Sequence, residues 1–375
     1  MAENYRPINL VSVPCKILES IIKDNIMNHL QTHNLISRTQ HGFMPGRSCT
    51  SNLLEYLNQM TKALDQGYSF DVIMLDYQRA FDLVPFRHML AKISSHGIGG
   101  DILQWITNWT SDRLQRCVLN GEQSSWASVT SSVVQGSVLG PILFTIFMND
   151  LDIAINPTHN VLISKFADDS KLGKCIQNPD DCLRLQSALN DLVRWSSSCG
   201  MRLHPQKCVV LHFGLNNPAH DYFINGSKVS ASDEARDLGV LISDDCSQSN
   251  HIQNITKKAH AVLSQMKRTL TYRDSKVFAG IYKQYVRPIL EYGVEAWNPA
   301  KIADVNALEK VQKRAFRLIT DNGAITYDMK LKITGMSTLE KRRERGDLIQ
   351  TFKIINDMSV LDKRDLVMLE VHKNT

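Results

Sequence analysis

Asp168 and Asp169 stand side by side in KFADDSK, residues 165 to 171, on a short and otherwise apolar hairpin. Adjacent carboxylates repel at neutral pH, and their ionisation is unfavourable unless a cation sits between them and a partner. Mg²⁺ is the natural candidate, a hard ion that prefers carboxylate and phosphate oxygens and keeps several waters. A further acid must come from elsewhere, and Asp76 qualifies. It ends SFDVIMLDY, which reads as a buried strand able to lie beside the 161 to 175 hairpin. Strand alternation favours Asp168 or Asp169, not both, on a given face. Two such ions about 3.5 to 4 Å apart clamp the attacking and leaving oxygens of an in-line phosphoryl displacement, the chemistry of a polymerase or nuclease. Taken alone, the doublet also suits an ordinary turn.

Other residues add weight by their company. VVQGSVLGPILFTIF places Gln135, Gly136 and a further glycine at the entrance of a helix, where backbone can approach a ligand and an amide can meet a nucleotide; an ordinary loop-to-helix junction looks the same. Phe81, five residues past Asp76, can pack under a sugar or in the core. Arg47 in QHGFMPGRS is placed for a phosphate clamp or for solvent. Lys207 in GMRLHPQKCVV can protonate leaving pyrophosphate or lie on the surface.

These residues need a scaffold, and the patterning supplies one. Helical periodicity in the first 70 residues puts Ile17, Leu18, Ile21, Ile22 and Leu30 on one side of a first helix, and Leu53, Leu54, Leu57, Met60 and Leu64 on a second. After the Asp76 strand come helices, then Asn120-Gly121 and Asn225-Gly226, each a hairpin signal. A long apolar helix is expected to run to about Asp150, another from about Pro179 to Cys199, stopped by Gly200. Two or three short strands follow through Ser243, and from His251 onward the pattern is helical. The fold class is α+β with a helical module at the end.

Composition sets outer bounds. The 375 residues, 43% hydrophobic, suffice for two or three domains. The eight cysteines show no C-x-x-C pair and no zinc spacing, and read as reduced, mostly core thiols of an intracellular protein. No signal-like start and no uninterrupted apolar run of about 18 residues is present, so no membrane partner is expected. Net charge is +5, yet residues from 251 onward carry 23 Lys and Arg against 14 Asp and Glu, leaving 20 against 24 before them. A basic final third suits a polyanion, although EKRRERGD (340 to 347) on its own reads as a solvated helix face.

The order NYRPINLVSVPCKILESII, QHGFMPGRS, VIMLDYQRAFDLV, VVQGSVLGPILFTIFMNDL, KFADDSKL, GMRLHPQKC and ARDLGVLIS resembles that of reverse transcriptases of LINE-type, non-LTR retrotransposons of the jockey and chicken-repeat kind. YKQYVRPILEYGVEAWNP and LEKVQKRAFRLI resemble the segment after their polymerase core. The resemblance implies a right-hand polymerase: fingers from 1–68 (beginning inside the fingers, hence N-terminally truncated) and 84–132, palm from 69–83 and 133–245, and a helical thumb and C-terminal extension from 246–375. It implies Asp76 and Asp168 as principal metal ligands, Asp169 in support, for two Mg²⁺ ions with Mn²⁺ as an alternative. Phe81 would be the steric gate against a ribose 2′-hydroxyl, Gln135 and Gly136 the nucleotide and template contact, Arg47 a triphosphate ligand, Lys207 the lysine near pyrophosphate, and Leu238 and Gly239 the primer-gripping hairpin.

The implied partners are an RNA template, a DNA primer and dNTPs, with an endonuclease domain expected upstream and absent from this chain. The implied location is nucleus and cytoplasm. The expected function is RNA-directed DNA polymerisation in retrotransposition; the alternative is a catalytically inactive retroelement remnant that binds nucleic acid. Departures from the family pattern are Phe166 where tyrosine is common, His204 for an expected Asn, Phe86 for His, and Gln78 for a small residue.

Overall fold

The computed structural model describes residues 9–270, 275–319 and 325–366. The chain divides into two compact units, residues 1–48 with 63–232 and residues 49–62 with 233–375.

The first unit is built on a sheet of β1 (Ser69–Leu75), β2 (Leu162–Phe166), β3 (Asp169–Ile176), β4 (Val209–Phe213) and β5 (Ser230–Ala231), in the order β5-β4-β1-β3-β2. Every pair is antiparallel except β4 with β5. β1 takes the centre because its run SFDVIML suits a strand covered on both faces. Its one acid, Asp71, is fully buried and fully used: it accepts from Asn217 Nδ2 (2.7 Å) and the Tyr222 hydroxyl (2.6 Å), and His212 Nδ1 lies 2.8 Å away. Burial, together with the Asp71 charge, pushes the Tyr222 phenol far up from its ordinary value.

Helix α1 (Val13–Thr32) opens the first unit, and α2 (Cys49–Asp65) belongs mostly to the second. Helices α3 (Phe86–Ser95), α4 (Gly140–Phe147) and α5 (Pro179–Ser198) complete the frame around the site. Ile73, Leu75 and Leu172 of the sheet share one core with Ile26, Met89, Phe144, Phe147, Leu185 and Leu189. α5 begins in a reciprocal capping box between Asn178 and Asp181 and ends before Gly200, which has φ +74°. Both Asn-Gly pairs form the hairpins expected of them, with positive φ at each central residue.

Three expectations change. α4 stops at Phe147, and a separate turn spans Leu151–Ala154. The final strand region holds more short strands than two or three. In α1 the side containing Ile17, Leu18 and Ile21 is exposed; the buried positions are Glu19, Ile26 and Leu30. The reason is polar. The Glu19 carboxylate accepts the backbone N–H groups of Val138 (2.6 Å) and Leu139 (3.3 Å) just before α4, and this turns the start of α1 away from its apolar stripe.

In the second unit β6 (Glu234–Asp237) and β7 (Val240–Ser243) form a hairpin, followed by α6 (Ser249–Thr269), α7 (Ile302–Ile319) and α8 (Leu339–Ile355). The basic run in α8 is not simply a solvated face. Arg343 is 2% exposed and donates to Asn298 Oδ1 at 3.1 Å, and Arg342 holds Glu291 through both Nε and Nη2. All eight cysteines are free thiols, but only Cys182, Cys199 and Cys208 are buried, fewer than expected. No described helix is long and apolar enough to cross a membrane.

Candidate active site

β1 ends with Leu75 opposite Ser170 of β3 and, on its other side, Met74 opposite Val209 of β4. One residue further along the first register sets Asp76 across from Asp169. On the other side the ladder stops at Met74 and Val209, and Lys207 lies in the turn that precedes β4. Facing residues of antiparallel strands lie about 4.5 to 5.5 Å apart between Cα atoms, so the β1/β3 ladder carries two of the expected site residues, Asp76 and Asp169, to one end of the sheet. Cys208 marks the junction: its Sγ lies 3.5 Å from the Asp76 amide nitrogen, and burial raises its thiol pKa. Beyond it the chain changes partners. His204 N–H donates to Asp76 O (2.8 Å) and Gln78 N–H to Arg202 O (2.7 Å), so Asp76 sits where the ladder of β1 is interrupted.

The acidic doublet occupies the other side of this junction. Phe166 pairs with Asp169, leaving Ala167 and Asp168 as a two-residue loop. Only Ala167 of the two has positive φ (57°), the pattern of a type II′ turn. Asp168 is half-buried and Asp169 exposed. Alternation puts Asp76 and Asp169 on the face opposite Ile73, Leu75 and Leu172, with Asp168 at the apex. Buried Tyr77 lies beside the doublet, its phenol pushed up by burial, with the Asp168 charge nearby.

Carboxylate oxygens at adjoining strand ends are the donor type a hard divalent cation takes. Among the described residues no three His, Cys, Asp or Glu side chains are already gathered to hold a metal.

The remaining expected residues fall into separate places. Phe81 is half-buried, stacked on Phe144 (4.1 Å between centroids, 16° between planes) and edge-on to Phe43 at 6.4 Å. Gln135 donates its Nε2 to Asp82 Oδ1 at 2.7 Å, and its backbone oxygen receives Asn9 N–H at 2.8 Å. Gly136, at φ +94°, is a position where a Cβ would meet Asn9 O at 2.6 Å. Arg47 uses Nη1 on the carbonyls of Ser37 (2.8 Å), Arg38 (3.1 Å) and Gln40, so this part of its guanidinium braces its own loop. Lys207 is exposed. Leu238 and Gly239 lie in the second unit as the loop of the β6/β7 hairpin, at φ 44° and 90°, with the Tyr292 hydroxyl donating to Leu238 O at 2.9 Å.

Reading the sequence missed Gln40, Gly42, Asp82 and Glu19. The first two lie inside the quoted QHGFMPGRS, but a loop's composition does not say what it docks against.

The family model described as reverse transcriptase (RNA-dependent DNA polymerase) matches residues 2–242, well over half of the chain. The chain therefore belongs to the reverse transcriptase family. Similar curated proteins include the RNA-directed DNA polymerase from mobile element jockey of Drosophila funebris, 28% identical over 85% of this chain and 36% of that protein. A probable RNA-directed DNA polymerase from transposon BS of Drosophila melanogaster is 25% identical over the same shares. The chain spans little more than a third of the length of these relatives. Apo telomerase from Candida tropicalis superposes with a TM-score of 0.47 at 12% identity, over 92% of this chain and 60% of that one.

Proposed function

We propose that the chain is the polymerase portion of a non-LTR retrotransposon protein, adding dNTPs to the 3′-hydroxyl of a DNA primer on an RNA template. The observation that carries this reading is the β1/β3 register, which brings Asp76 beside the Asp168–Asp169 turn in a chain of this family.

In this reading Asp76 and Asp168, with Asp169 in support, would hold two Mg²⁺ ions. When bound, these lower the barrier to in-line displacement by stabilising charge on the attacking and leaving oxygens. The protein's own groups do the rest. Phe81, braced by Phe144, lies under the sugar and leaves no room for a 2′-hydroxyl. Gln135, oriented by Asp82, meets the base pair being formed, with Gly136 allowing close backbone approach. Arg47 contributes positive charge toward the triphosphate, and Lys207, exposed in the turn before β4, holds a proton for the leaving pyrophosphate. The β6/β7 loop at Leu238 and Gly239 grips the primer. In this reading the fingers are 1–68 and 84–132, the palm 69–83 and 133–245, and the helical thumb and C-terminal extension 246–375.

A second reading, a nucleic-acid-binding remnant without synthesis, draws on the lack of a ready-made three-acid cluster among the described residues. Primer extension on RNA with dNTPs and Mg²⁺ separates the two. Extension that Asp168→Asn abolishes without unfolding supports polymerisation; salt-sensitive duplex binding with no extension by either protein supports the remnant.

A further inference from the structure

We propose that Gln40 is a positioning residue for the Ala167–Asp168 turn, its buried side-chain carbonyl fixing where the Asp168 carboxylate is presented. The inference rests on the polymerase reading above for its catalytic consequence, though not for its geometry.

Gln40 is fully buried, and its Oε1 accepts two backbone N–H groups at once: Gly42 at 2.8 Å and Ala167, 127 residues further on, at 2.9 Å. Ala167 is the turn residue with left-handed φ, a conformation a side chain other than glycine adopts only when something holds it. Without its amide partner the turn has an open choice of conformations, and each presents Asp168 differently.

The holder is itself held. Residues 39 to 41 run parallel to the outer edge of β2, with His41 N–H donating to Lys165 O (2.8 Å) and Lys165 N–H to Thr39 O (2.9 Å). The Asp152 carboxylate receives the Thr39 hydroxyl (2.7 Å) and the Ser37 hydroxyl, and pairs with buried Lys165 Nζ at 2.7 Å. Arg47 ties the carbonyls of Ser37, Arg38 and Gln40 from the other side. Gly42 lies so close to the turn that a Cβ there would stand 2.3 Å from Ala167 N. The loop is therefore a rigid body pressed against the hairpin tip.

One detail sharpens the test. The Gln40 Nε2 has no hydrogen-bond partner, so only the acceptor half of the amide is used. Gln40→Glu keeps that acceptor; Gln40→Met keeps the approximate volume and lacks the oxygen.

The experiment uses the full chain and two readouts: amide exchange at Ala167, and primer-extension kinetics with dNTP and Mg²⁺. Gln40→Met is expected to speed exchange at Ala167 by about tenfold or more while the melting transition remains cooperative. It is expected to lower kcat by about 10- to 100-fold with the dNTP KM within about threefold. Gln40→Glu is expected to restore both. Exchange at Ala167 unchanged in Gln40→Met, or Gln40→Glu as impaired as Gln40→Met, overturns the proposal. So does unchanged kcat in Gln40→Met when Asp168→Asn abolishes extension. If Gln40→Met does not fold, Gln40→Asn, whose carbonyl is one methylene short, takes its place with the same criteria. If Asp168→Asn extends primers like wild type, the polymerase reading fails, and the exchange measurement alone decides whether Gln40 holds the turn.

Discussion

Phe81 lies flat on Phe144, with ring centroids 4.1 Å apart and planes within 16° of parallel. Phe144 is fully buried in α4, so the half-exposed Phe81 ring is held from below by a fixed surface. Phe81→Ala is expected to relax sugar discrimination in primer extension by about tenfold or more, since one steric contact in a pocket is worth about 1 to 3 kcal/mol. Comparing dNTP with rNTP incorporation checks this, and unchanged discrimination removes Phe81 from the sugar pocket.

Two glycines of one loop should respond differently to alanine. At Gly42 an added Cβ would lie 2.3 Å from Ala167 N and 3.0 Å from Phe166 C, both backbone atoms. At Gly46 nothing lies within 4 Å, and only the φ of +72° is unfavourable. Gly46→Ala is expected to cost about 1 kcal/mol of stability. Gly42→Ala should cost about 1 to 3 kcal/mol, because backbone must move, and should also slow extension. Urea unfolding of both variants measures the difference; equal losses would contradict the close approach.

The β6/β7 loop places Leu238 at φ 44°, a conformation that asparagine adopts more readily than leucine. Leu238→Asn is expected to raise stability by about 0.5 to 1 kcal/mol. Gly239→Ala should lower it, since φ is +90° and the Tyr292 ring would stand 3.1 Å from the new Cβ. Thermal melts of the two variants should shift in opposite directions. In the primer-grip reading, both also change primer affinity.

His251 predicts an acid sensitivity. It is 3% exposed, packed on Trp297 at 4.9 Å, and accepts Leu241 N–H at its Nδ1 (3.1 Å). Burial, with Arg236 and Lys258 adding to it, pushes its pKa down to about 4. The unfolded chain, with a histidine near 6.5, therefore binds more protons between pH 6.5 and 4, and stability falls as pH drops through that window. The full effect is about 3 kcal/mol. Unfolding free energies at pH 7.5 and 4.5, for wild type and His251→Gln, should show a smaller acid loss in the variant; equal losses assign the effect elsewhere.

Much of the frame was legible because it is local. β1, the two Asn-Gly hairpins and the Asn178 to Gly200 helix follow from apolar runs, turn pairs and caps within a few residues of one another. The expectation that Asp76 ends a strand beside the acidic hairpin also agrees with the ladder, because an apolar strand has few other places to go. What could not be read depends on polar contacts across long separations. Glu19 satisfying amides at 138 and 139 reverses the exposed side of α1, and no periodicity records it. Gln40 bonding to Ala167, and Asp82 engaging Gln135, likewise join segments whose proximity exists only in the folded chain. Arg343 inside the second unit shows the same limit for charge: a basic run does not reveal which member is buried.

Iron-directed cleavage tests most directly whether Asp76 and the Asp168 turn form one cation site. Fe²⁺ bound in place of Mg²⁺, with ascorbate and peroxide, cuts backbone close to the ion, and this requires no turnover. The wild-type chain should be cut both near Asp76 and near Asp168, Mg²⁺ should suppress both cuts together, and Asp168→Asn should weaken both. Cleavage confined to one of the two segments, or loss of one cut without the other in Asp168→Asn, would contradict the shared site.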